Sequence, residues 1–259
     1  MAQEPLRLKP AMRCQGCGTC WPRSAKAVAK RYSPMTPQCQ IPYRAPSPAA
    51  DVAVGCLLGH MIGDALGTCC EGWSAQQILE LARTRFPEPE CRGLVWDFIP
   101  CIHMGQGSYV GPPEPGDEAQ ARRGMYSDDT NAALALASSL VASGGLDGRH
   151  AARQYAEFFF DEDCPKRFCP HTAEAVMRRV RDGVDYKTAG LPPHFPFRDG
   201  SYANGGGMRA SPLGIAFRDA SAAQVRAAAA EAVRSSHAHP EAVDGAAVQA
   251  YAVALAARL

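Results

Sequence analysis

The sequence predicts an all-α fold, and three observations lead to this prediction. Apolar residues recur at helical spacing in several segments from Asp51 onward. Residues that commonly cap helices precede some of these segments. Alternating strand patterns bounded by hairpin turns are missing. At 259 residues the chain is long enough to bury a substantial core.

The helical segments follow one another along most of the chain. The apolar run Val52–Leu66 is the first. Ser74 is the predicted cap of a second helix, and Asp147 is the predicted cap of the helix that carries Tyr155, Phe158 and Phe159. Further helices are predicted at Ala132–Ala142, Thr172–Arg181, Ser221–Val233 and Glu241–Leu259. Two long Pro/Gly-rich loops, Phe86–Gly124 and Leu191–Gly207, interrupt the pattern, and loops of this length are usually functional or mobile.

Charge and hydropathy exclude several classes of partner. The chain carries 27 basic and 26 acidic residues, so a general attraction to nucleic acid or to membranes is not expected. The run Val52–Leu66 is interrupted by His60 and Asp64 and is too short to cross a bilayer. We therefore expect no direct nucleic-acid binding, no transmembrane segment and no membrane partner.

The first 50 residues differ in composition from the rest. They contain eight Lys or Arg residues, one acidic residue and many prolines. A disordered basic leader is one interpretation, and such a leader could be an organelle transit peptide. The spacing of Cys14, Cys17 and Cys20, with Cys39 as a fourth ligand, leaves a zinc or iron–sulfur module as the alternative.

Cysteine usage indicates the compartment. Eleven cysteines are scattered along the chain, their number is odd, and no secretory signal peptide accompanies them. A disulfide framework is therefore not expected, and the chain is assigned to a reducing compartment. We expect an intracellular protein, in the cytoplasm in the first place and in an organelle if the leader is a transit peptide.

Adjacent carboxylates stand where an alanine-rich helix begins. Ser127, Asp128 and Asp129 lie in the stretch Tyr126–Asn131. Oxygen ligands of these types suit Mg²⁺, and two adjacent carboxylates repel each other unless a cation or solvent compensates them. The same residues are also ordinary helix caps and suit the positive end of a helix dipole. On this stretch alone, capping is preferred over metal binding.

Glycines at four-residue intervals lead to two further carboxylates. Gly55, Gly59 and Gly63 would lie on one face of the first helix, which predicts close helix packing. Asp64 ends this apolar helix and needs a partner, either a backbone amide or a site residue. Glu71 follows among small residues, and taken alone it is interpreted as a solvated loop residue.

A glycine-rich segment precedes another predicted helix. In Gly200–Arg209, free backbone N–H groups at a helix start could bind a phosphate. Arg209 could add charge, and the Tyr202 ring could stack on a base or ribose. The alternative is a flexible loop with a cap at Asn204. The segment matches neither the dinucleotide fingerprint nor the P-loop.

A Ser-His turn separates the last two predicted helices. His237 and His239 lie two residues apart, which is a poor arrangement for zinc without nearby Cys or Glu ligands. A turn and capping role is the first interpretation of Ser235–Pro240. His237 could also hydrogen-bond a diphosphate or order the carboxylate loop.

Taken together and in this order, these segments resemble the ADP-ribosylglycohydrolase family, over about residues 51–259. The segment Gly200–Arg209, called the glycine loop below, is similar in sequence to the same segment of the branch that removes ADP-ribose from serine and trims poly(ADP-ribose). The matches are G-D-A-L-G-x-x-x-E at Gly63–Glu71, Y-S-D-D-T at Tyr126–Thr130, G-S-Y-x-N-G-G-x-M-R at Gly200–Arg209 and the Ser-His turn at Ser236–His237.

The resemblance implies a compact orthogonal helical bundle around two Mg²⁺ ions. It implies hydrolysis of the glycosidic bond of ADP-ribosylated protein or poly(ADP-ribose), with release of ADP-ribose. The implied catalytic residues are Glu71, Asp128 and Asp129. The implied metal ligands are Glu71, Ser127, Asp128 and Asp129, and the implied substrate-binding residues are Gly200, Ser201, Tyr202 and His237.

The sequence departs from the family pattern at its end. The family has a later Asp-x-Asp-Thr-type motif that supplies the other metal ligands, and Glu241 and Asp244 are not expected to replace it. The last predicted helix has no glycine or proline stop signal, so we expect a C-terminally incomplete domain. Two alternatives to a hydrolase follow: a non-catalytic ADP-ribose binder, and a protein-interaction relic tethered to the N-terminal cysteines.

Overall fold

The computed structural model describes residues 50–88, 91, 93–103, 110–111, 123–161 and 170–259. The predicted leader and its four cysteines lie outside the described residues. The predicted helical domain is therefore the part of the chain whose structure is described.

The described chain is all-α, as predicted, and contains eight α-helices. The helices α1 to α8 are, in chain order, Ala50–Gly67, Ala75–Arg85, Asp128–Ser143, Gly148–Phe160, His171–Arg181, Ser211–Ala216, Ala222–Val233 and Pro240–Ala256. Short 3₁₀ turns at Thr68–Cys70 and Asn204–Gly206 follow α1 and precede α6. The sequence did not predict the strands β1 (Ile102–His103) and β2 (Val110–Gly111), which pair antiparallel with Ile102 opposite Gly111.

The predicted helix starts are explained by their caps. Ser74 and Ser221 each form a capping box, in which the hydroxyl accepts from the backbone N–H three residues on and a glutamine side chain accepts in return. Asp147 accepts from the backbone N–H of His150 and caps α4. At the end of α3, Gly144 adopts a left-handed conformation (φ 63°), so its N–H bonds back to the last carbonyls of the helix.

The main core lies between α3, α4, α5, α7 and α8. Helix α7 packs along α8, and α3 packs along α4, while α6 lies between α1 and α8. Fully buried large side chains include Leu136 of α3, Tyr155 of α4, Leu213 of α6 and Val225 of α7. Alanines supply much of the remaining contact in α7 and α8, which lets these two helices approach closely. This core fixes the N-termini of α3 and α8, where the candidate site lies.

Helix α1 and the 3₁₀ turn after it form a longer apolar segment than the run Val52–Leu66 that the sequence analysis considered. The window Asp51–Cys70 has 20 residues and a mean hydropathy of 1.4, so it could cross a membrane by length and composition alone. The prediction that this run is too short was therefore wrong. Hydrogen bonds join α1 to two other helices. His60 is hydrogen-bonded to Ser211 of α6, and Asp64 is hydrogen-bonded to residues at the start of α3.

One face of α1 is apolar and uncovered within the described residues. Val54, Leu58 and Ile62 lie four residues apart, and each is about half exposed. A Cβ added at Gly55, Gly59 or Gly63 would meet no described atom within 4 Å. The close packing predicted for this glycine stripe is therefore not made by any described residue.

Candidate functional site

A cavity of about 820 Å³ opens where α1, the start of α3, the glycine loop and the start of α8 meet. Four carboxylates line it, and the described chain places no lysine or arginine among the lining residues. The carboxylates are those of Asp64, Glu71, Asp129 and Glu241. The described lining of the cavity is therefore acidic, and it also includes His60.

Asp64 holds the end of α1 against the start of α3. Its carboxylate accepts from the backbone N–H groups of Ser127 (2.9 Å) and Thr130 (3.0 Å). The hydroxyls of Ser127 (2.8 Å), Thr130 (2.6 Å) and Thr68 (3.1 Å) donate to it as well. The sequence analysis left open whether a backbone amide or a site residue satisfies Asp64, and the structure shows that both do.

The Ser127 hydroxyl lies between two carboxylates. Its oxygen is 2.8 Å from Asp64 Oδ1 and 2.9 Å from Asp129 Oδ2, and it accepts from the backbone N–H of Asp129. A hydroxyl has a single proton, so it can donate to only one carboxylate at a time. When both carboxylates are ionised, the other short O···O contact needs a proton or a cation.

The acidic surroundings change the ionisation of two carboxyl groups. Burial raises the pKa of Asp129, and the negative charge of Asp64 raises it further. Burial also raises the pKa of Glu71, with added repulsion from Asp129 and Asp64. Protonation of a carboxylate, or a bound cation, would relieve this repulsion.

The chemistry of these side chains fits Mg²⁺, although their arrangement is incomplete. Carboxylate and hydroxyl oxygens are the ligands that Mg²⁺ prefers, and the described lining residues include no lysine or arginine that would compete with it. In the described part of the chain, no group of three or more His, Cys, Asp or Glu side chains is arranged to hold a metal ion. Waters or substrate oxygens would have to complete the coordination.

The glycine loop forms the opposite wall of the cavity. Gly200 has a φ of +87°, a conformation that favours glycine, and it packs tightly against Ala238. Tyr202 lines the cavity with 60% of its surface exposed, and its ring lies 5.6 Å from that of His239 and 5.8 Å from that of Phe197. An exposed ring supported in this way can stack on a planar ligand group.

His237 supports the glycine loop from behind. Its ring packs on Gly205, where an added Cβ would lie 2.6 Å from the ring. Its Nδ1 lies 2.8 Å from the Ser236 hydroxyl. Burial lowers the pKa of His237 to about 3, and the charge of Arg209 contributes to the decrease. The ring is therefore neutral, and it is not among the lining residues of the cavity.

Arg209 does not supply charge to the glycine loop, contrary to the suggestion from the sequence. Its side chain is 2% exposed and donates to the Ser236 hydroxyl at 2.6 Å. Its guanidinium group lies 4.2 Å from the centre of the Tyr155 ring. Arg209 is therefore a core residue, held by a cation–π contact and a hydrogen bond.

The structure brings some of the predicted site residues together. Glu71, Ser127, Asp129 and Tyr202 line one cavity, together with Ala203 and Asn204 of the glycine loop. The predicted residues that are not among its lining residues are Asp128, Gly200, Ser201 and His237. Asp128 lies in the first turn of α3, and Ser201 accepts from the backbone N–H of Ala203, which holds the loop.

Sequence reasoning missed several lining residues. Glu241 was set aside as belonging to the wrong context, but it lies in the first turn of α8 and lines the cavity. Asp244 was rightly set aside, because it pairs with Arg226 at 2.7 Å on the surface. His60 and Gln249 also line the cavity, and a polar residue within an apolar helix was the available signal for His60.

Comparisons with known proteins agree with the resemblance. A family model described as ADP-ribosylglycohydrolase matches residues 45–259. ADP-ribosylhydrolase ARH3 of Gallus gallus is 28% identical over 204 residues, which is 78% of this chain and 49% of that protein. The same-named protein of Homo sapiens is 27% identical, with the same coverage. An uncharacterized protein of Archaeoglobus fulgidus is 28% identical over 77% of this chain and 53% of its own length. The chain spans about half the length of the curated relatives it matches.

Proposed function

The chain belongs to the ADP-ribosylglycohydrolase family, and we propose that it serves in Mg²⁺-dependent hydrolysis of ADP-ribosyl linkages. The proposed reaction cleaves the glycosidic bond of an ADP-ribosylated protein or of poly(ADP-ribose) and releases ADP-ribose. The relatives named ADP-ribosylhydrolase support the reaction class. The substrate is inferred from the resemblance to the family, and the Mg²⁺ requirement from that resemblance together with the oxygen ligands of the site.

One observation carries the proposal: an acidic cavity faces a glycine loop with an exposed aromatic ring. Asp129, Glu71 and Glu241 contribute negative charge, and Tyr202 offers a stacking surface. ADP-ribose combines a planar adenine with a diphosphate that is also negative. A cavity of this charge would repel the diphosphate unless cations are present. Mg²⁺ is therefore expected to be needed for the ligand to bind.

Each residue has a proposed role. Ser127 and Asp129, which line the cavity, would hold Mg²⁺ through oxygen atoms, with Glu71 of the same cavity and Asp128 of the same helix turn as further proposed ligands. Bound Mg²⁺ would supply positive charge that stabilises the charge developing at the scissile ribose carbon. Burial and its acidic neighbours raise the pKa of Glu71, which suits a carboxyl group that transfers protons.

The substrate-binding wall is proposed to act through backbone and ring. Gly200 and Ser201 shape the loop whose N–H groups would bind the diphosphate. Tyr202 would stack on the base or ribose. His237 acts as a positioning residue in this proposal, because it is neutral, buried and packed behind Gly205.

A second candidate function is binding of ADP-ribose without catalysis. It is favoured by the absence, within the described residues, of three side chains arranged for a metal ion. This candidate predicts that ADP-ribose binds equally well with and without Mg²⁺.

Release of ADP-ribose tests the proposal directly. The purified chain is incubated with an ADP-ribosylated protein or with poly(ADP-ribose), in Mg²⁺ or in EDTA, and free ADP-ribose is measured. We expect release in Mg²⁺ only, and we expect Asp129→Asn to reduce it by about 100-fold or more. The matched control is Asp244→Asn, an exposed residue whose change should leave the rate unaltered. Absence of release from folded protein that still binds ADP-ribose would favour the binder.

A further inference from the structure

Three cysteines lie at or beside the turn that joins Asp64 to Glu71, and they take no part in the proposed reaction. Cys69 and Cys70 belong to the 3₁₀ turn Thr68–Cys70, and Cys101 immediately precedes β1. All three are free thiols, and Cys69 and Cys101 are almost fully buried, with 0% and 2% exposure.

Cys69 packs beside both of the other cysteines. The sulfur atoms of Cys69 and Cys70 are 3.4 Å apart. Cys69 and Cys101 share a small apolar cluster with Ile99, and β2 lies against the turn that carries Cys69.

The turn that contains these cysteines joins two site carboxylates. The Thr68 hydroxyl oxygen lies 2.7 Å from the backbone carbonyl oxygen of Asp64 and 3.1 Å from its carboxylate, and Glu71 follows Cys70 directly. A covalent bond from Cys69 to Cys101 would therefore fix the segment that sets the position of Glu71.

We propose that Cys69 and Cys101 are an oxidation site, at which a hydroperoxide converts two thiols to a disulfide and tethers the turn between Asp64 and Glu71. Cys70 is the entry point, because it is only half-buried while its two neighbours are buried. The modification itself is independent of the proposed hydrolase function.

The reaction balances in three steps. The Cys70 sulfur attacks one peroxide oxygen, the O–O bond breaks, and an alcohol or water leaves, giving a sulfenic acid. Cys69 then attacks the Cys70 sulfur, the S–O bond breaks and water leaves, so that the two sulfurs have lost two electrons to the peroxide. Finally Cys101 attacks the Cys69 sulfur, and Cys70 leaves as a thiol.

The last step should run toward Cys101. A disulfide between adjacent residues is geometrically strained and easily broken, whereas Cys69 and Cys101 come from different segments and are free of that constraint. Cys70 is only partly accessible to a peroxide, so the first step is expected to be slow.

Peptide mapping of the whole chain tests this proposal. The protein is treated with excess hydrogen peroxide, remaining thiols are alkylated, and the unreduced tryptic digest is analysed by mass spectrometry. Trypsin places Cys101 on a peptide (residues 93–122) separate from that of Cys69 and Cys70 (residues 45–83). We expect these two peptides to be linked, with a mass lower by two hydrogen atoms than the sum of the two peptides with only Cys56 and Cys70 alkylated.

Variants assign the link. The linked pair should survive in Cys56→Ser, the matched control on the same peptide, and disappear in Cys69→Ser and Cys101→Ser. In Cys70→Ser the same product should form several-fold more slowly. The oxidised wild type should melt about 5 to 10 °C higher than the reduced protein, because the disulfide closes a loop in the unfolded chain.

Three results would overturn the proposal. They are wild-type protein without linked peptides, a link that persists in Cys101→Ser, and oxidation that stops at sulfinic or sulfonic acid. If the serine variants do not fold, fragmentation of the linked wild-type peptides decides, since alkylation then marks Cys56 and Cys70 and leaves Cys69 as the linked residue.

Discussion

The hydroxyl of Thr130 donates to Asp64 Oδ2 at 2.6 Å, across the boundary between α3 and α1. The backbone N–H of Thr130 donates to the same oxygen at 3.0 Å. A carboxylate from one helix therefore caps another helix, which aligns Ser127 and Asp129 with the cavity. Asp64 is in this way the organising residue of the acidic site.

Replacing Asp64 should destabilise the fold. Asp64→Ala removes an acceptor shared by two backbone N–H groups and three hydroxyls. The hydroxyls of Ser127 and Thr68 keep a second acceptor, whereas the N–H and hydroxyl of the buried Thr130 lose the acceptor they share. We expect a loss of about 2 to 4 kcal/mol in the free energy of unfolding, measured by urea denaturation.

The control for this change is Asp244→Ala. Asp244 makes an exposed ion pair with Arg226, and such pairs contribute about 1 kcal/mol or less. If both variants lose the same stability, the capping role of Asp64 is refuted.

Neutralising Asp129 should stabilise the metal-free protein. Burial and the charge of Asp64 raise the pKa of Asp129 in the folded state above its value in the unfolded state. In EDTA, the wild type therefore loses stability as the pH rises from the unfolded-state pKa of Asp129 to its folded-state pKa. The loss is greatest at a pH above the folded-state pKa. Asp129→Asn removes it, so the variant should melt at a higher temperature than the wild type in EDTA, and its stability should depend less on pH.

Added Mg²⁺ should make the wild type melt at a higher temperature than Asp129→Asn. Mg²⁺ is expected to raise the melting temperature of the wild type but not that of Asp129→Asn. A lower melting temperature for the variant in EDTA, or an equal Mg²⁺ effect on both, would contradict the role assigned to Asp129.

The sequence predicted the helices well because their signals are local. Ser74, Asp147 and Ser221 are caps of the expected kind, and the helices that follow them begin within one residue of the predicted positions. The small ladder of β1 and β2 has only two residues in each strand, too few for an alternating pattern.

The site was predictable only in part, because its geometry depends on distant segments. The order of the motifs pointed to Glu71, Ser127, Asp129 and Tyr202, which line one cavity. Nothing local distinguishes Arg209 in a glycine-rich loop from a phosphate ligand, and only packing against Tyr155 shows it to be a core residue. Glu241 enters the cavity because α8 starts there, which sequence spacing does not reveal.

Arg209 should matter for stability through its volume and its polar contacts. Arg209→Ala leaves a cavity beside Tyr155 and removes the donor to Ser236, so we expect a loss of about 2 to 4 kcal/mol. Arg209→Met fills more of the space and should lose less. The control is Arg198→Ala, an exposed change in the same loop region, which should lose about 0.5 kcal/mol or less in urea denaturation. Equal losses in all three variants would refute the core role.

The contact between Gly205 and His237 should be sensitive to a single added methyl group. In Gly205→Ala the Cβ would lie 2.6 Å from the His237 ring, so the ring or the loop must move. We expect a loss of about 1 to 3 kcal/mol in stability and weaker binding of ADP-ribose, measured by thermal melting and calorimetry.

Gly59→Ala is the control, since its Cβ meets nothing within 4 Å, and it should be neutral or stabilising. A Gly205 variant as stable and as tight-binding as the wild type would show that His237 does not shape the loop.

Calorimetric titration of the chain with ADP-ribose, once in Mg²⁺ and once in EDTA, tests the central claim most directly. The acidic cavity predicts binding in Mg²⁺ and an affinity at least about tenfold weaker in EDTA, because the carboxylates then repel the diphosphate. Asp129→Asn should reduce this difference. Equal affinity in Mg²⁺ and in EDTA would contradict the proposed metal dependence and identify the cavity as a metal-independent ADP-ribose site.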